Sequence, residues 1–207
     1  MASRISAADA KPRGLRIVGG VHRGRRLAAP AGAAVRPTSD RAREAVFNIL
    51  SHGDVAAAGL PFAGRPVLDA FAGTGAFGLE ALSRGASRAA FIEQGRDALA
   101  ALRRNIAALG EQDRADIVVA DATRPPRAPF ASAIAFLDPP YGSGLAAPAL
   151  AALAAGGWLL PDALAIVEIA ASESLQPPAG FAIVDERVYG AARLVFLRRG
   201  RPSGETQ

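Results

Sequence analysis

The 207-residue chain predicts an α/β fold: a mainly parallel sheet with helices on both faces and an antiparallel closing hairpin, preceded by a small basic hairpin and helix. Three observations carry that expectation. Short apolar runs alternate with segments of helical period from residue 67 to residue 169. Several of those runs end in a glycine turn or an acidic residue. The last two runs, near 181–188 and 192–198, follow one another with no helix between them. Charge divides the chain into an arginine-rich extension over 1–60 and a main domain over 61–207.

In chain order, Leu15-Arg16-Ile17-Val18-Gly19-Gly20-Val21-His22-Arg23-Gly24-Arg25-Arg26-Leu27 reads as two short strands around Gly19-Gly20, with His22 as a surface residue of that hairpin. After a Pro/Ala/Gly linker comes a helix that Thr38, Ser39 or Asp40 can cap. Its apolar positions Ala42, Val46, Ile49 and Leu50 recur at helical spacing. Arg41 and Arg43 fall near its start, on the side away from that stripe, and His52 near its end. The main domain then reads strand 67–70, helix 76–84, strand 88–93, helix 96–109, strand 116–120, strand 132–137, helix 145–155 and strand 163–169 before the closing pair. Residues 142–161 carry no charge, but Pro148, Gly156 and Gly157 interrupt them, so a buried helix and a turn are expected there and not a membrane span.

Composition narrows the chemistry. With no cysteine the chain has no disulfide, thiolate zinc site or cysteine nucleophile, which suits a cytoplasmic location. With only two histidines, no histidine metal site and no metal are expected. The first fourteen residues lack the apolar core of a signal peptide. Residues 1–50 hold ten Arg or Lys against Asp9, Asp40 and Glu44, whereas the rest of the chain is slightly acidic. Such clustering reads as a phosphate-contacting surface for nucleic acid. Lys11 is the only lysine; either phosphate recognition by planar guanidinium groups or a GC-rich genome accounts for that.

Two motifs carry the chemistry. The strand Pro66-Val67-Leu68-Asp69-Ala70 runs into Phe71-Ala72-Gly73-Thr74-Gly75-Ala76-Phe77-Gly78, a G-x-G-x-x-G turn opening a helix, where free N–H groups can meet an anion. The next strand ends in Glu93, placed to accept ribose hydroxyls, and the third in Asp121. This pattern alone fits a nicotinamide cofactor as well as S-adenosylmethionine. The second motif decides: Ile134-Ala135-Phe136-Leu137 runs straight into Asp138-Pro139-Pro140-Tyr141. An exocyclic base amine is a poor nucleophile because its lone pair is delocalised into the ring. Asp138 and the Pro139 carbonyl are acceptors for its hydrogens, the two prolines stiffen the turn, and Tyr141 offers a ring face. Phe71 and Phe77 either stack on the base as well or belong to the core. Glu168 either borders the pocket or is a buried strand terminus paired with an arginine.

These motifs resemble the class I S-adenosylmethionine-dependent methyltransferases, with their Rossmann-like fold, over roughly residues 64 to 199. The resemblance implies that Asp69, Phe71, Gly73 and Gly75 surround the methionine part of the cofactor, that Glu93 holds the ribose and that Asp121 takes the adenine amino group. Adding Arg36-Pro37-Thr38-Ser39-Asp40-Arg41-Ala42-Arg43-Glu44 and the preceding Arg-Ile-Val-Gly-Gly and Arg-Gly-Arg segments, the chain is similar to the bacterial 16S ribosomal RNA guanine-N2 methyltransferase family from about Leu15 to Arg199. That family implies methylation of guanine 966 in an assembled or assembling small ribosomal subunit by a monomer. Arg16, Arg23, Arg25, Arg26, Arg36, Arg41 and Arg43 would contact RNA, and Asp138, Pro139, Pro140 and Tyr141 the base. A DNA adenine-N6 methyltransferase shares both core motifs but needs a recognition region for which this chain has little room. A protein glutamine methyltransferase favours Asn at position 138. Whether Asp138 takes the proton or only orients the amine is open.

Overall fold

Strands covered on both faces are largely apolar and buried along their length, and the central ones here are. All six residues of Ser132–Leu137 are buried, as are Val67 through Ala70 of Pro66–Ala70. The computed structural model describes residues 15–29, 38–52 and 63–200. Seven strands form one sheet: β1 (Pro66–Ala70), β2 (Arg88–Glu93), β3 (Ala115–Val119), β4 (Ser132–Leu137), β5 (Leu159–Ala170), β6 (Phe181–Tyr189) and β7 (Ala192–Arg199), in the order β3-β2-β1-β4-β5-β7-β6. The first five pair in parallel, and β7 pairs antiparallel with both β5 and β6, so the sheet is the mostly parallel, antiparallel-closed one expected.

Among the described residues four helices flank it: α1 (Thr38–His52), α2 (Ala76–Ser83), α3 (Arg96–Leu109) and α4 (Ala146–Ala155). Leu50 of α1, Leu79 of α2 and Leu102 of α3 share one apolar cluster with Val67, Phe91, Phe136 and Ile166 of the sheet, and Leu15, Ile17 and Leu27 of the extension join it. Leu150 and Leu153 of α4 pack with Trp158, Leu68, Ile92 and Leu137 in a second cluster on the other face. The uncharged stretch thus forms a buried helix and the start of a strand, and no helix among the described residues is long and apolar enough to cross a membrane.

Three local expectations differ from the structure. The N-terminal hairpin is a single antiparallel bridge, Arg16 to Arg26, whose loop turns at residues 20–24 and not at Gly19-Gly20. The reason is that the loop's polar groups are taken by α2: Val18 N–H donates to Glu80 Oε2 (2.7 Å), Val21 N–H to the Ser83 carbonyl (2.8 Å), and Ser83 Oγ donates to the Gly19 carbonyl (2.6 Å). His22 is held too, with Nε2 2.6 Å from Glu111 Oε1. Strand β5 begins at Leu159, because the ladder resumes after an irregularity: Ser132 pairs with Leu159 and Ile134 with Leu164. Pro161-Asp162, which precede the strand expected over 163–169, lie inside that interruption, with Asp162 at φ 63°.

The third difference is Arg43. Helical periodicity put it on the outer side of α1, but it is 1% exposed, with Nη2 donating to the Arg16 carbonyl (2.7 Å) and Nε 3.9 Å from Glu80 Oε2. Arg84 Nε completes the cluster, donating to Glu80 Oε1 at 2.6 Å. Glu80 itself has no exposure. A buried carboxylate needs several donors; the Val18 N–H and Arg84 Nε supply them, and the Arg43 guanidinium adds its charge at ion-pair distance.

Gly78, the third glycine of the turn motif, lets α2 lie directly on β2. A Cβ built there would be 2.3 Å from Cε1 of Phe91, a ring with no exposure. Gly78→Ala should therefore lower stability by about 1–3 kcal/mol, the usual cost of overpacking a full core, measured by urea unfolding against the parent. An unchanged unfolding midpoint would show that the ring can move aside.

Candidate active site

Register builds the site. Ala70 pairs with Ile92 and with Leu137, and Leu137 pairs with Val167, so four neighbouring strands present one row. The residues that follow, Phe71, Glu93, Asp138 and Glu168, form the next row at the carboxyl edge. Strand β1 is the point from which the chain builds outward in both directions, the position where open α/β sheets leave a crevice.

The glycine turn is held from three sides. Asp69 Oδ2 accepts the Gly78 N–H at 2.9 Å from beneath. Glu93 Oε2 accepts the Gly73 N–H at 2.8 Å, while Oε1 takes Gln94 and Gly95 N–H at 2.8 and 2.6 Å. Asn105 of α3 donates Nδ2 to the Thr74 carbonyl at 2.9 Å. Gly73 and Gly75 adopt left-handed backbone, φ 57° and 82°. Phe71 does so without being glycine, at φ 60°, a conformation costing about 1–2 kcal/mol for an L-residue. Strain of that kind clusters where a chain must turn sharply beside a ligand.

Asp69 is buried among carboxylates. Desolvation is the main reason its carboxyl is pushed up to about 8; Asp138 and Glu93 add to the rise, and the Gly78 N–H and Arg43 oppose it. Asp121, at the end of β3, sits in the opposite environment. Its Oδ1 accepts Thr123 N–H and Thr123 Oγ1–H, both at 2.8 Å, and these hold it below the usual carboxylate range, the N–H contributing more. Asp121 Oδ2 takes no hydrogen bond among the described residues.

The Asp-Pro-Pro-Tyr turn lies beside the glycine turn, with Asp138 N–H 3.4 Å from the Ala70 carbonyl. Asp138 and Pro140 are exposed and Pro139 is buried. Tyr141 is half-buried, its hydroxyl donating to Glu168 Oε1 at 2.8 Å. Gly142 N–H donates to Glu173 Oε1 at 2.7 Å, and the same oxygen lies 3.3 Å from Ala170 N. Two glutamates from the end of β5 thus hold the turn. Phe77 belongs to the core, stacked on Phe136 at 5.1 Å, and Phe71 packs against the second apolar cluster.

The structure brings Asp69, Phe71, Gly73, Gly75, Glu93, Asp138 and Tyr141 to one edge of the sheet. Arg16, Arg23, Arg25 and Arg26 are exposed on the extension, and Arg25 Nη2 reaches the Ala108 carbonyl at the end of α3 at 2.5 Å. Arg43 is not among the exposed arginines; burial against Glu80 removes it from any contact surface. Arg36 lies outside the described residues, as do the side chains of residues 38–42 and 52. Sequence reasoning passed over Glu173 and Asn105. Asn105 is 2% exposed and also takes both polar groups of Ala28, at 2.7 and 3.0 Å; a polar residue within the apolar stripe Leu102, Ile106, Leu109 was the available signal. Among the described residues, no group of three or more His, Cys, Asp or Glu side chains is arranged to hold a metal.

Because the Asp69 carboxyl ionises near 8 in the folded chain and near 3.8 ordinarily, the unfolded chain gives up its proton first. Asp69 thus contributes stability that is present below about pH 4 and lost as pH rises toward 8. Asp69→Asn, which keeps an acceptor for Gly78, should flatten the fall in stability over that range and gain on the order of 1 kcal/mol or more at pH 8. Urea midpoints at pH 5 and pH 8 check it; equal slopes in the two proteins would mean that Asp69 does not titrate there.

A model of the family described as conserved hypothetical protein 95 matches residues 15–198. The ribosomal RNA small subunit methyltransferase D of Escherichia coli strain K12 is 38% identical over 192 residues, covering 89% of this chain and 90% of that protein. The protein of the same name from Haemophilus influenzae is 32% identical over 181 residues, covering 85% and 89%. Among solved structures, Escherichia coli yhhF superposes with a TM-score of 0.74 at 36% identity, over 89% of this chain and 97% of that one. The chain belongs to the conserved hypothetical protein 95 family, that of the bacterial 16S ribosomal RNA methyltransferases D.

Proposed function

We propose that this protein transfers a methyl group from S-adenosylmethionine to the exocyclic N2 amine of a guanine in 16S ribosomal RNA, guanine 966 in the family's numbering, acting as a cytoplasmic monomer on an assembled or assembling small subunit. The observation that carries it is the juxtaposition of the Asp138-Pro139-Pro140-Tyr141 turn with the glycine turn, through Asp138 N–H and the Ala70 carbonyl. Relatives over 30% identical across most of the chain bear the name of ribosomal RNA methyltransferases.

The residues present fit the cofactor. Gly75 starts α2 with no side-chain cap, so the Ala76 and Phe77 N–H groups, ahead of the Gly78 N–H that Asp69 takes, are available to a carboxylate. A Cβ at Gly73 would meet nothing nearer than the Phe71 carbonyl at 4.0 Å, which leaves open space over the turn. Glu93 would take the ribose hydroxyls and Asp121 the adenine amine. When bound, S-adenosylmethionine supplies an electrophilic methyl group. Asp138 and the Pro139 carbonyl hold the guanine amine by its hydrogens, keeping its lone pair aimed along the line of attack. Tyr141 stacks on the unpaired base and is kept in place by Glu168. Asp138 either takes the proton or passes it to solvent, to which it is exposed.

Small subunits from cells lacking this protein should accept label from S-adenosylmethionine in its presence and yield N2-methylguanosine on digestion. N6-methyladenine in DNA, with no label in subunits, would replace this reading by the DNA one. Glu93→Ala should weaken cofactor binding by about 1–3 kcal/mol. Asp138→Ala and Tyr141→Ala should instead slow turnover by about 100-fold or more while calorimetry finds cofactor affinity nearly unchanged. Near-normal turnover in both would remove the turn from the chemistry. Reversing Arg23 and Arg26 to Glu should weaken subunit binding and reduce its salt dependence, by about 0.7–0.9 in logarithmic slope per lost phosphate contact. An unaltered slope would make the extension a scaffold and not an RNA contact.

A further inference from the structure

We propose that the outer face of α3 binds the phosphate backbone of the RNA substrate through Arg96, Arg103 and Arg104, joining the arginines of the N-terminal extension to the catalytic edge. This rests on the ribosomal RNA reading above. Three observations lead to it. First, α3 buries Leu99, Ala101, Leu102, Asn105, Ile106 and Leu109 and leaves Arg96, Arg103 and Arg104 exposed on its other side, spaced by exposed Ala100, Ala107 and Ala108. Side chains as short as alanine leave the guanidinium groups standing clear of the helix. Arg96 and Arg103 are two turns apart, about 10 Å along the axis.

Second, these arginines do nothing for the helix itself. A charged outer face is ordinarily laced by opposite charges three or four residues away. Here those positions within α3 are leucine, isoleucine or alanine for all three arginines. Among the described residues no hydrogen bond or ion pair engages their guanidinium groups, whereas Arg84, Arg88, Arg114 and Arg193 each meet a carboxylate. Arg96 stands in the first turn, where the helix macrodipole disfavours a cation. The one acidic residue of α3, Asp97, is adjacent in sequence to Arg96 and so does not face it.

Third, the helix links the two surfaces that an RNA would have to touch. It starts at Gly95, whose N–H donates to Glu93 Oε1 at the carboxyl edge (2.6 Å), and its far end lies along the extension. Asn105 holds Ala28, the Ala108 carbonyl accepts from Arg25 Nη2, and just past the helix Glu111 meets His22. Arg104 is one turn before Ala108, so it adjoins the Arg25 guanidinium. Exposed Arg23, Arg25 and Arg26 are thereby continued by Arg104, Arg103 and Arg96 along the length of α3 toward the glycine turn. A row of uncompensated cations along one helix is complementary to a row of phosphates, and the planar guanidinium can grip a phosphate with two N–H groups.

The test measures small-subunit binding as a function of salt, and steady-state methylation, for the parent, for Arg103→Glu/Arg104→Glu and for Arg127→Glu/Arg187→Glu. The last pair makes the same change of charge at exposed positions outside α3. In the α3 variant the logarithmic salt slope should fall by about 1.4–1.8, for two phosphate contacts at about 0.7–0.9 each. KM for subunits should rise, with kcat and cofactor affinity near those of the parent. Arg96→Ala should by itself lower the slope by about 0.7–0.9. If Arg103→Glu/Arg104→Glu does not keep the parent's melting temperature and cofactor affinity, Arg103→Ala/Arg104→Ala takes its place, alanine being the best helix former, with the same fall in slope expected. A parental slope and KM in the folded α3 variant, or an equal loss in Arg127→Glu/Arg187→Glu, would overturn the proposal and leave α3 with a solvated outer face. A parent protein that neither binds nor methylates subunits would overturn the ribosomal RNA reading and this inference with it.

Discussion

Parallel pairing of β1 with β2 and β4, without a slip at the carboxyl edge, is the constraint on which the site depends. A shift of one residue in any of these ladders would turn every side chain of that strand to the opposite face and carry Glu93 or Asp138 away from the glycine turn. The register is protected by burial on both faces. Leu68, Ile92, Leu137 and Val167 occupy one apolar layer and Phe91, Phe136 and Ile166 the other, so no alternative alignment keeps both filled. The one irregularity in the parallel ladders lies between Ser132 and Ile134, at the opposite end of β4, where it leaves the carboxyl edge undisturbed.

A buried charge joins the N-terminal extension to this frame. Glu80 projects from α2 into a site without solvent, where it meets Val18 N–H, Arg84 and Arg43. Removing one partner of such a cluster commonly costs about 3–5 kcal/mol, because the rest are left buried and uncompensated. The extension is also sealed by apolar contact, since Leu15, Ile17 and Leu27 lie in the same cluster as α2 and α3. Asn105 carries the connection to the glycine turn, holding Ala28 on one side and the Thr74 carbonyl on the other. Hairpin, helix pair and turn are therefore fixed relative to one another by hydrogen bonds whose partners are all short of water.

Carboxylates dominate the carboxyl edge, and their environments separate their duties. Asp69 is stripped of solvent, carries its proton far above the ordinary range and serves the backbone of α2. Glu93 accepts three backbone N–H groups around the turn. Asp121 is stabilised in its charged form by Thr123. Glu168 and Glu173 serve the Asp-Pro-Pro-Tyr turn, and Asp138 is exposed at its start.

Much of this was legible in the residues themselves. Strand and helix identities, the glycine turn, the acidic strand ends and the Asp-Pro-Pro-Tyr turn are local patterns, set by side chains within a few positions of one another, and the charge of the first fifty residues is a matter of counting. What local pattern cannot carry is partnership across the chain. Arg43 belongs to the core because Glu80 waits there, and the hairpin turns late because Ser83 and Glu80, more than sixty residues away, take its backbone groups. Asp162 lies within a strand because β5 must realign on β4. Glu168 meets Tyr141 across 27 residues because two strands happen to be neighbours in the sheet. By itself the sequence determined which elements form and which chemical groups stand at their ends; only the tertiary structure decided which of those groups meet, because burial and pairing depend on what the rest of the chain brings alongside.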